Sequence, residues 1–125
     1  MSTDPAVAFY TARLDEDERT ARRIQATRHG TLIVAPGDGE SPPVFEISGG
    51  RLLAEVEAKR KLLARHTPEP MNGYDSDVDD PSTYAPGCPA CQTGVVQPGD
   101  WPCEEMRDLL SVHNTHPHYR DEWRP

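Results

Sequence analysis

The sequence predicts an α+β fold with two or three helices and a small antiparallel β-hairpin. Two long segments, residues 5–28 and 50–65, carry apolar residues at helical spacing. Two short runs rich in β-branched and apolar residues lie between them, at residues 31–34 and 44–47. The third observation is that all three cysteines fall in the last third of the chain, beside a short amphipathic segment. We therefore expect a helical C-terminal lobe organised around those cysteines.

The composition limits the size of the hydrophobic core. Only 35% of the 125 residues are hydrophobic, and the chain holds 13 prolines and nine glycines. A core of this size usually needs a further source of stability, such as a bound metal ion. We predict one compact unit with three parts. They are a helix–hairpin–helix core over residues 1–66, an acidic, proline-rich mobile loop over 67–86, and a C-terminal lobe with an aromatic tail over 87–125.

The first helix is predicted to begin at Pro5. Asp4 can cap it, and proline is favourable at the first helical position because its missing N–H would have no helical partner there. Apolar side chains then recur near helical spacing, at Val7, Tyr10, Leu14, Ala21 and Ile24. The helix is expected to end near Gly30, since glycine commonly terminates helices.

A β-hairpin and a second helix are predicted next. The segment between the two short strands is dense in proline, glycine and acidic residues, which is typical of a turn. Ser48 can cap the second helix, whose apolar stripe includes Leu52, Val56 and Leu63. Residues 67–86 then lose all periodicity and carry four prolines and five acids, so a mobile loop is expected.

The charge and the hydrophobicity of the chain argue against nucleic acid and membranes as partners. The net charge is −8, and residues 67–106 carry eight acidic residues and no lysine or arginine. An acidic chain repels nucleic acid, so a nucleic-acid partner is disfavoured. No apolar run approaches the length of a membrane span, and the N-terminus lacks the pattern of a secretory signal. We expect a cytoplasmic protein without membrane association.

The cysteines have the spacing of a zinc site. Cys88 and Cys91 form a C-P-A-C motif, and Cys103 follows W-P at the start of the third predicted helix. Zinc binds thiolates strongly, and a C-x-x-C turn places two sulfurs at one edge of a tetrahedron. In a reducing compartment, three cysteines fit metal ligands or free thiols better than a disulfide with one cysteine left over. We therefore predict a zinc cofactor that holds the C-terminal lobe together.

The fourth zinc ligand is not fixed by spacing. His66, at the end of the second helix, is the first candidate, followed by His116 and then His113. Each also has a simpler interpretation. His66 would be a favourable cation near a helix C-terminus, His113 a histidine packed at the edge of the core, and His116 a solvent-facing tail residue.

The motifs favour a binding protein over an enzyme. A structural zinc site is closed by four protein ligands, whereas a catalytic site keeps a position for water. The sequence lacks the deaminase, H-E-x-x-H and G-x-S-x-G patterns, so no catalytic residue is predicted. Two alternatives to a non-enzymatic module remain. One is a zinc–thiolate redox switch that loses its metal on oxidation, and the other is a small metalloenzyme with an open zinc position.

The C-terminal tail contains two aromatic residues four positions apart, Tyr119 and Trp123. The rings could fold back over a thin core, or they could form an exposed anchor for a partner protein. We predict a protein-interaction or regulatory module with a protein partner. The chain itself is expected to be a monomer or a homodimer.

Several segments of the chain resemble one family. They are V-A-F at residues 7–9, A-R-L-D-E-D-E at 12–18, L-A-E-V-E-A-K-R at 53–60, W-P-C at 101–103, H-P at 116–117, and Tyr119 with E-W-R-P at 122–125. These segments resemble an uncharacterised domain-of-unknown-function family of small proteins from actinobacteria and their phages. Members similarly have a histidine at the end of the second helix, then C-x-x-C, then a Pro-Cys helix start. The resemblance therefore favours His66 as fourth ligand and implies a phage or mobile-element link, but no activity.

Overall fold

A computed structural model describes residues 3–34 and 45–125. These residues contain three α-helices and two small antiparallel two-stranded sheets, so the predicted α+β class is confirmed. The elements in chain order are α1 (Pro5–Gln25), β1 (Thr31–Val34), β2 (Phe45–Ser48), α2 (Gly49–Arg65), β3 (Glu69–Met71), β4 (Ala85–Gly87) and α3 (Glu104–Ser111), with short 3₁₀ turns at Pro81–Thr83 and Asp121–Trp123. The turn predicted between β1 and β2 lies outside the described residues.

The chain divides into two compact units. The terminal unit combines the start of the chain, up to Tyr10, with Lys61–Pro125, and the central unit consists of Thr11–Arg60. This division follows spatial contacts, whereas the sequence-based division into residues 1–66, 67–86 and 87–125 follows composition. No helix in the described part of the chain has the length and hydrophobicity that a membrane span requires.

Helix α1 begins where the sequence predicts. The Asp4 carboxylate accepts hydrogen bonds from the N–H groups of Ala6 at 2.9 Å and Val7 at 3.2 Å. These bonds satisfy two of the N–H groups that a helix start leaves without partners. The helix ends at Gln25, before the predicted Gly30, and the Thr27 hydroxyl donates to the Ile24 carbonyl at 2.6 Å in the turn that follows.

In the central unit, the start of α2 lies against the end of α1. A Cβ atom placed on Gly49 would lie 2.6 Å from the Gln25 nitrogen and 2.8 Å from the Ala21 carbonyl oxygen. Real side chains essentially never come this close to backbone atoms. Only glycine therefore permits this approach, which sequence periodicity does not reveal.

Arg60 on α2 forms two ion pairs with α1 inside the central unit. Its guanidinium donates to Asp15 at 2.8 Å and to Glu18 at 2.7 Å. The hydrogen bond from Arg60 lowers the pKa of Glu18, and the same contact raises the pKa of Arg60. Because all three side chains are about a third to a half exposed, solvent screening limits the contribution of these pairs to stability.

The β1–β2 hairpin presents apolar side chains to solvent. The strands pair with Leu32 opposite Ile47 and Val34 opposite Phe45. Because side chains alternate along a strand, these four residues share one face of the hairpin. Phe45 is 58% exposed, and Ile33 on the opposite face is 65% exposed. The described residues therefore leave much of this apolar surface uncovered.

Residues 69–87, most of which lie in the predicted mobile loop, contain a strand pairing that the sequence analysis did not predict. Strands β3 and β4 pair in antiparallel register, with Met71 opposite Ala85. Between them, the Ser76 hydroxyl donates to the Thr83 carbonyl at 2.9 Å, and the Thr83 hydroxyl accepts from the Asp77 N–H at 2.8 Å. Each strand is three residues long and contains a proline, so the sequence carries almost no strand signal.

Candidate metal centre

Four side chains of the terminal unit converge from three segments. His66 directly follows α2, and its backbone N–H still donates to the Leu62 and Leu63 carbonyls at 3.1 Å. Cys88 directly follows β4, and Cys91 lies one turn further along the chain. Cys103 is the N-cap residue of α3. Each residue thus stands at or near the end of a regular element, which fixes the backbone that carries it.

The distances between the four side chains match a tetrahedral metal site. The Nδ1 atom of His66 lies 3.3 Å from the Cys88 sulfur, 3.4 Å from the Cys91 sulfur and 3.7 Å from the Cys103 sulfur. All four ligand atoms lie within 4.8 Å of one another. For metal–sulfur bonds of about 2.3 Å and a metal–nitrogen bond of about 2.0 Å, tetrahedral geometry requires a nitrogen–sulfur separation of about 3.5 Å. The residues present therefore fit a metal ion.

Hydrogen bonding alone does not account for this convergence. An unprotonated imidazole nitrogen has one lone pair and accepts one hydrogen bond, yet three sulfurs surround the Nδ1 atom of His66. A cation at the centre would interact with all four atoms at once. We conclude that the cluster is a possible metal-binding site.

Glu105 orients the histidine of this cluster. Its carboxylate lies 2.5 Å from the Nε2 atom of His66, on the side of the ring away from Nδ1. In the tautomer with its proton on Nε2, the ring donates to this carboxylate and its Nδ1 lone pair is available to the sulfurs. Carboxylates in this position commonly fix the tautomer and the ring orientation of metal-binding histidines. The sequence analysis missed Glu105, although an acidic residue two positions after a ligand, in the first turn of a helix, could have suggested it.

We expect Glu105→Ala to weaken metal binding by roughly 10- to 100-fold, the usual effect of losing such a carboxylate. Glu105→Gln should lose less metal affinity, because the amide oxygen can still accept a hydrogen bond from Nε2. The measurement is competition for zinc against a chelator of known affinity. Glu104→Gln, in the same turn of α3, removes a neighbouring negative charge and serves as control. Unchanged affinity in Glu105→Ala would contradict the assigned role.

Hydrogen bonds to backbone carbonyls hold the cysteine-bearing loops. The Cys88 carbonyl accepts from the N–H groups of Gln92 at 2.8 Å and Cys91 at 3.3 Å, so residues 88–92 form a tight turn. Before Cys103, the Arg107 guanidinium donates to the carbonyls of Pro102 at 2.7 Å and Gly99 at 2.9 Å. These contacts hold the backbone next to the cysteines. None of them involves a cysteine sulfur, so they do not compete with a metal ion for the sulfurs.

The environment of the cysteines depends on whether a cation is present. All three are free thiols, and Cys88 and Cys103 are 1% and 6% exposed. Burial of its sulfur, aided by the neighbouring sulfurs, raises the pKa of Cys91 to about 12, although the residue as a whole is exposed. Burial likewise raises the pKa of Cys103. The raised pKa values favour the protonated thiols. A divalent cation favours the thiolates instead, because it attracts the negative charges that otherwise repel one another.

The other two candidate ligands pack elsewhere in the terminal unit. The Phe9 ring lies 6.2 Å from the His113 ring and 5.3 Å from the His116 ring. The Nδ1 atom of His116 also accepts from the His118 N–H at 3.0 Å. In the described residues, neither His113 nor His116 belongs to the cluster of potential ligands, which His66 completes.

The aromatic tail packs on the same phenylalanine. Trp123 is only 4% exposed, and its ring lies 5.2 Å from that of Phe9 and 5.7 Å from that of Tyr119. Tyr119 is half-buried and lies 6.2 Å from Phe9. The tail therefore contributes to the core of the terminal unit, and the Trp123 ring leaves little surface for a partner.

Comparison with known proteins identifies the family but no activity. A family model matches residues 3–125, nearly the whole chain. The chain belongs to DUF6221, a family of unknown function. No curated protein and no solved structure matches the chain significantly. Membership in DUF6221 confirms the expected domain of unknown function, and a functional assignment has to start from the cluster itself.

Proposed function

We propose that the cluster of His66, Cys88, Cys91 and Cys103 binds zinc, and that the ion stabilises the terminal unit. The supporting observation is the approach of three sulfurs to one imidazole nitrogen at 3.3, 3.4 and 3.7 Å. Three thiolates and one imidazole form a donor set that zinc prefers and that magnesium and calcium do not.

The number of ligands supports a structural role and a non-enzymatic protein. Four protein ligands complete the tetrahedral shell of zinc, whereas a catalytic zinc needs a position for water or substrate. The alternative of a small metalloenzyme would require one ligand to leave the ion. Cys91 is the most exposed ligand and would be the first to do so.

Elemental analysis of the purified chain tests the zinc proposal. We expect a single zinc ion per chain, lost in His66→Ala and retained in His116→Ala, which removes a histidine outside the cluster. Zinc retained in His66→Ala would contradict the ligand assignment. Absence of metal from the unmodified chain, together with failure to take up added zinc, would contradict the proposal as a whole.

Cobalt substitution gives a test that needs no variant. Co²⁺ in a tetrahedral site with three thiolates absorbs visible light strongly and shows sulfur-to-metal charge-transfer bands in the near ultraviolet. We expect both signatures when the metal-free chain is titrated with Co²⁺, and their loss when zinc is added. A weak, octahedral-type spectrum would contradict the proposed ligand set.

We further propose that the zinc-stabilised chain is a regulatory module that binds another protein in the cytoplasm. Two features support this proposal: free cysteines suit a reducing compartment, and large exposed apolar side chains such as Ile33 and Phe45 are typical of interaction surfaces. The resemblance to a family of small proteins from actinobacteria and their phages adds to this proposal a role linked to a phage or mobile element.

Site-specific cross-linking tests the interaction role. A photo-reactive residue at Phe45 should cross-link in cells to one protein with an apolar surface. The same residue at Val112, which is 74% exposed in the terminal unit, should not. Identical cross-linking patterns at the two positions, or none at either, would contradict a specific partner at the hairpin.

A further inference from the structure

We propose that Cys91 is an oxidation site, at which a small uncharged hydroperoxide converts Cys91 and Cys88 to a disulfide and releases the metal. The inference rests on the proposed zinc site and adds a mode of regulation to it. It starts from the unequal exposure of the three cysteines, which have the same role as ligands but not the same access to solvent.

Cys91 is the cysteine that a reagent in solution reaches first. Cys88 is 1% exposed and Cys103 is 6% exposed, whereas Cys91 is exposed. A surface cavity of about 310 Å³ opens beside the cluster, which is large enough for a small oxidant. The three cysteines line it together with Asp100, Glu104 and Glu105.

The charges around this cavity select among oxidants. Three carboxylates line it, from Asp100, Glu104 and Glu105, while its lining contains no lysine or arginine. Anionic reagents, such as the disulfide of glutathione, are repelled by this group of negative charges. A neutral hydroperoxide meets no such barrier, and hydrogen peroxide is the simplest member of that class.

The chemistry requires two thiolates and one peroxide. The Cys91 thiolate attacks one oxygen of hydrogen peroxide, the O–O bond breaks, hydroxide leaves, and Cys91 becomes a sulfenic acid. The Cys88 thiolate then attacks the Cys91 sulfur, the S–S bond forms, the S–O bond breaks, and a second hydroxide leaves. The two sulfurs lose two electrons in total, and the peroxide gains them. Each hydroxide takes a proton from solvent and becomes water.

Cys88 is the partner because it shares a turn with Cys91. The Cys91 N–H donates to the Cys88 carbonyl at 3.3 Å, and the Gln92 N–H donates to the same oxygen at 2.8 Å. This turn keeps the two residues together after their sulfurs cease to be ligands, whereas Cys103 is carried by α3. The disulfide removes two of the four ligands, and the remaining pair, His66 and Cys103, holds zinc only weakly.

The test uses the zinc-loaded chain of 125 residues and hydrogen peroxide. A chelating dye reports zinc release, and mass spectrometry after alkylation maps the cysteines. We expect release of the zinc with a Cys88–Cys91 disulfide and an alkylated Cys103. Cys91→His retains four ligands but lacks the sulfur of the exposed cysteine, so its zinc should stay bound. The matched control, Cys103→His, loses a buried sulfur instead and should still release zinc.

The outcomes separate this inference from the zinc proposal. An unmodified chain that binds zinc and keeps it in peroxide would overturn the inference and leave the zinc proposal intact. A chain that never binds zinc would contradict the zinc proposal itself. A disulfide between Cys88 and Cys103, or zinc released from Cys91→His as fast as from the unmodified chain, would also overturn it. The cysteine map comes from the unmodified chain, so it holds even if a variant does not fold.

Discussion

Removal of zinc by a strong chelator is expected to unfold the terminal unit. The four ligands join the end of α2, the turn after β4 and the start of α3, and His66 lies 22 residues before Cys88 and 37 before Cys103. Zinc binding contributes on the order of 10 kcal/mol or more of apparent free energy in zinc-finger peptides. This is comparable with the whole stability of a domain, about 5–15 kcal/mol.

The measurement is a ¹H–¹⁵N correlation spectrum recorded before and after chelation. Amide resonances of residues 61–125 should lose their dispersion and regain it when zinc is added back. Magnesium should not restore the spectrum, because it prefers oxygen ligands. A dispersed spectrum that survives complete metal removal would show that the core folds without the ion.

Local signals account for the parts of the structure that the sequence predicts well. The Asp4-Pro5 start of α1 needs only neighbouring residues, and the C-x-x-C motif brings Cys88 and Cys91 together within one turn. His66 is different, because 22 residues separate it from Cys88. Spacing could not select it over the tail histidines, and only its position at a helix end and the family resemblance favoured it.

The parts that the sequence does not reveal depend on contacts between distant segments. Glu105 has only a weak signal in the sequence, its place two positions after Cys103, and its contact with His66 depends on the placement of α3. The burial of Trp123 likewise depends on Phe9, more than a hundred positions earlier in the chain. Periodicity reports which face of a helix is apolar, but it does not report which distant side chain covers that face.

Trp123→Ala is expected to destabilise the zinc-loaded chain by about 3–5 kcal/mol, the usual cost of truncating a buried tryptophan. The ring is 4% exposed and packs on Phe9, and the segment that carries it is held in place by Arg107. The Arg107 guanidinium donates to the carbonyls of Glu122 at 2.7 Å and Arg124 at 3.0 Å. The cavity left by the indole therefore has little freedom to collapse.

Urea unfolding followed by circular dichroism measures this loss, with zinc content checked in each variant. Trp123→Phe should lose less stability than Trp123→Ala, because it keeps an aromatic ring against Phe9. Val112→Ala, at a position 74% exposed, controls for truncation at the surface and should change stability by less than about 0.5 kcal/mol. If Trp123→Ala were as mild as Val112→Ala, the tail would not be part of the core. If its stability fell only together with its zinc content, the tail would act through the metal centre, and the aromatic packing would not be an independent source of stability.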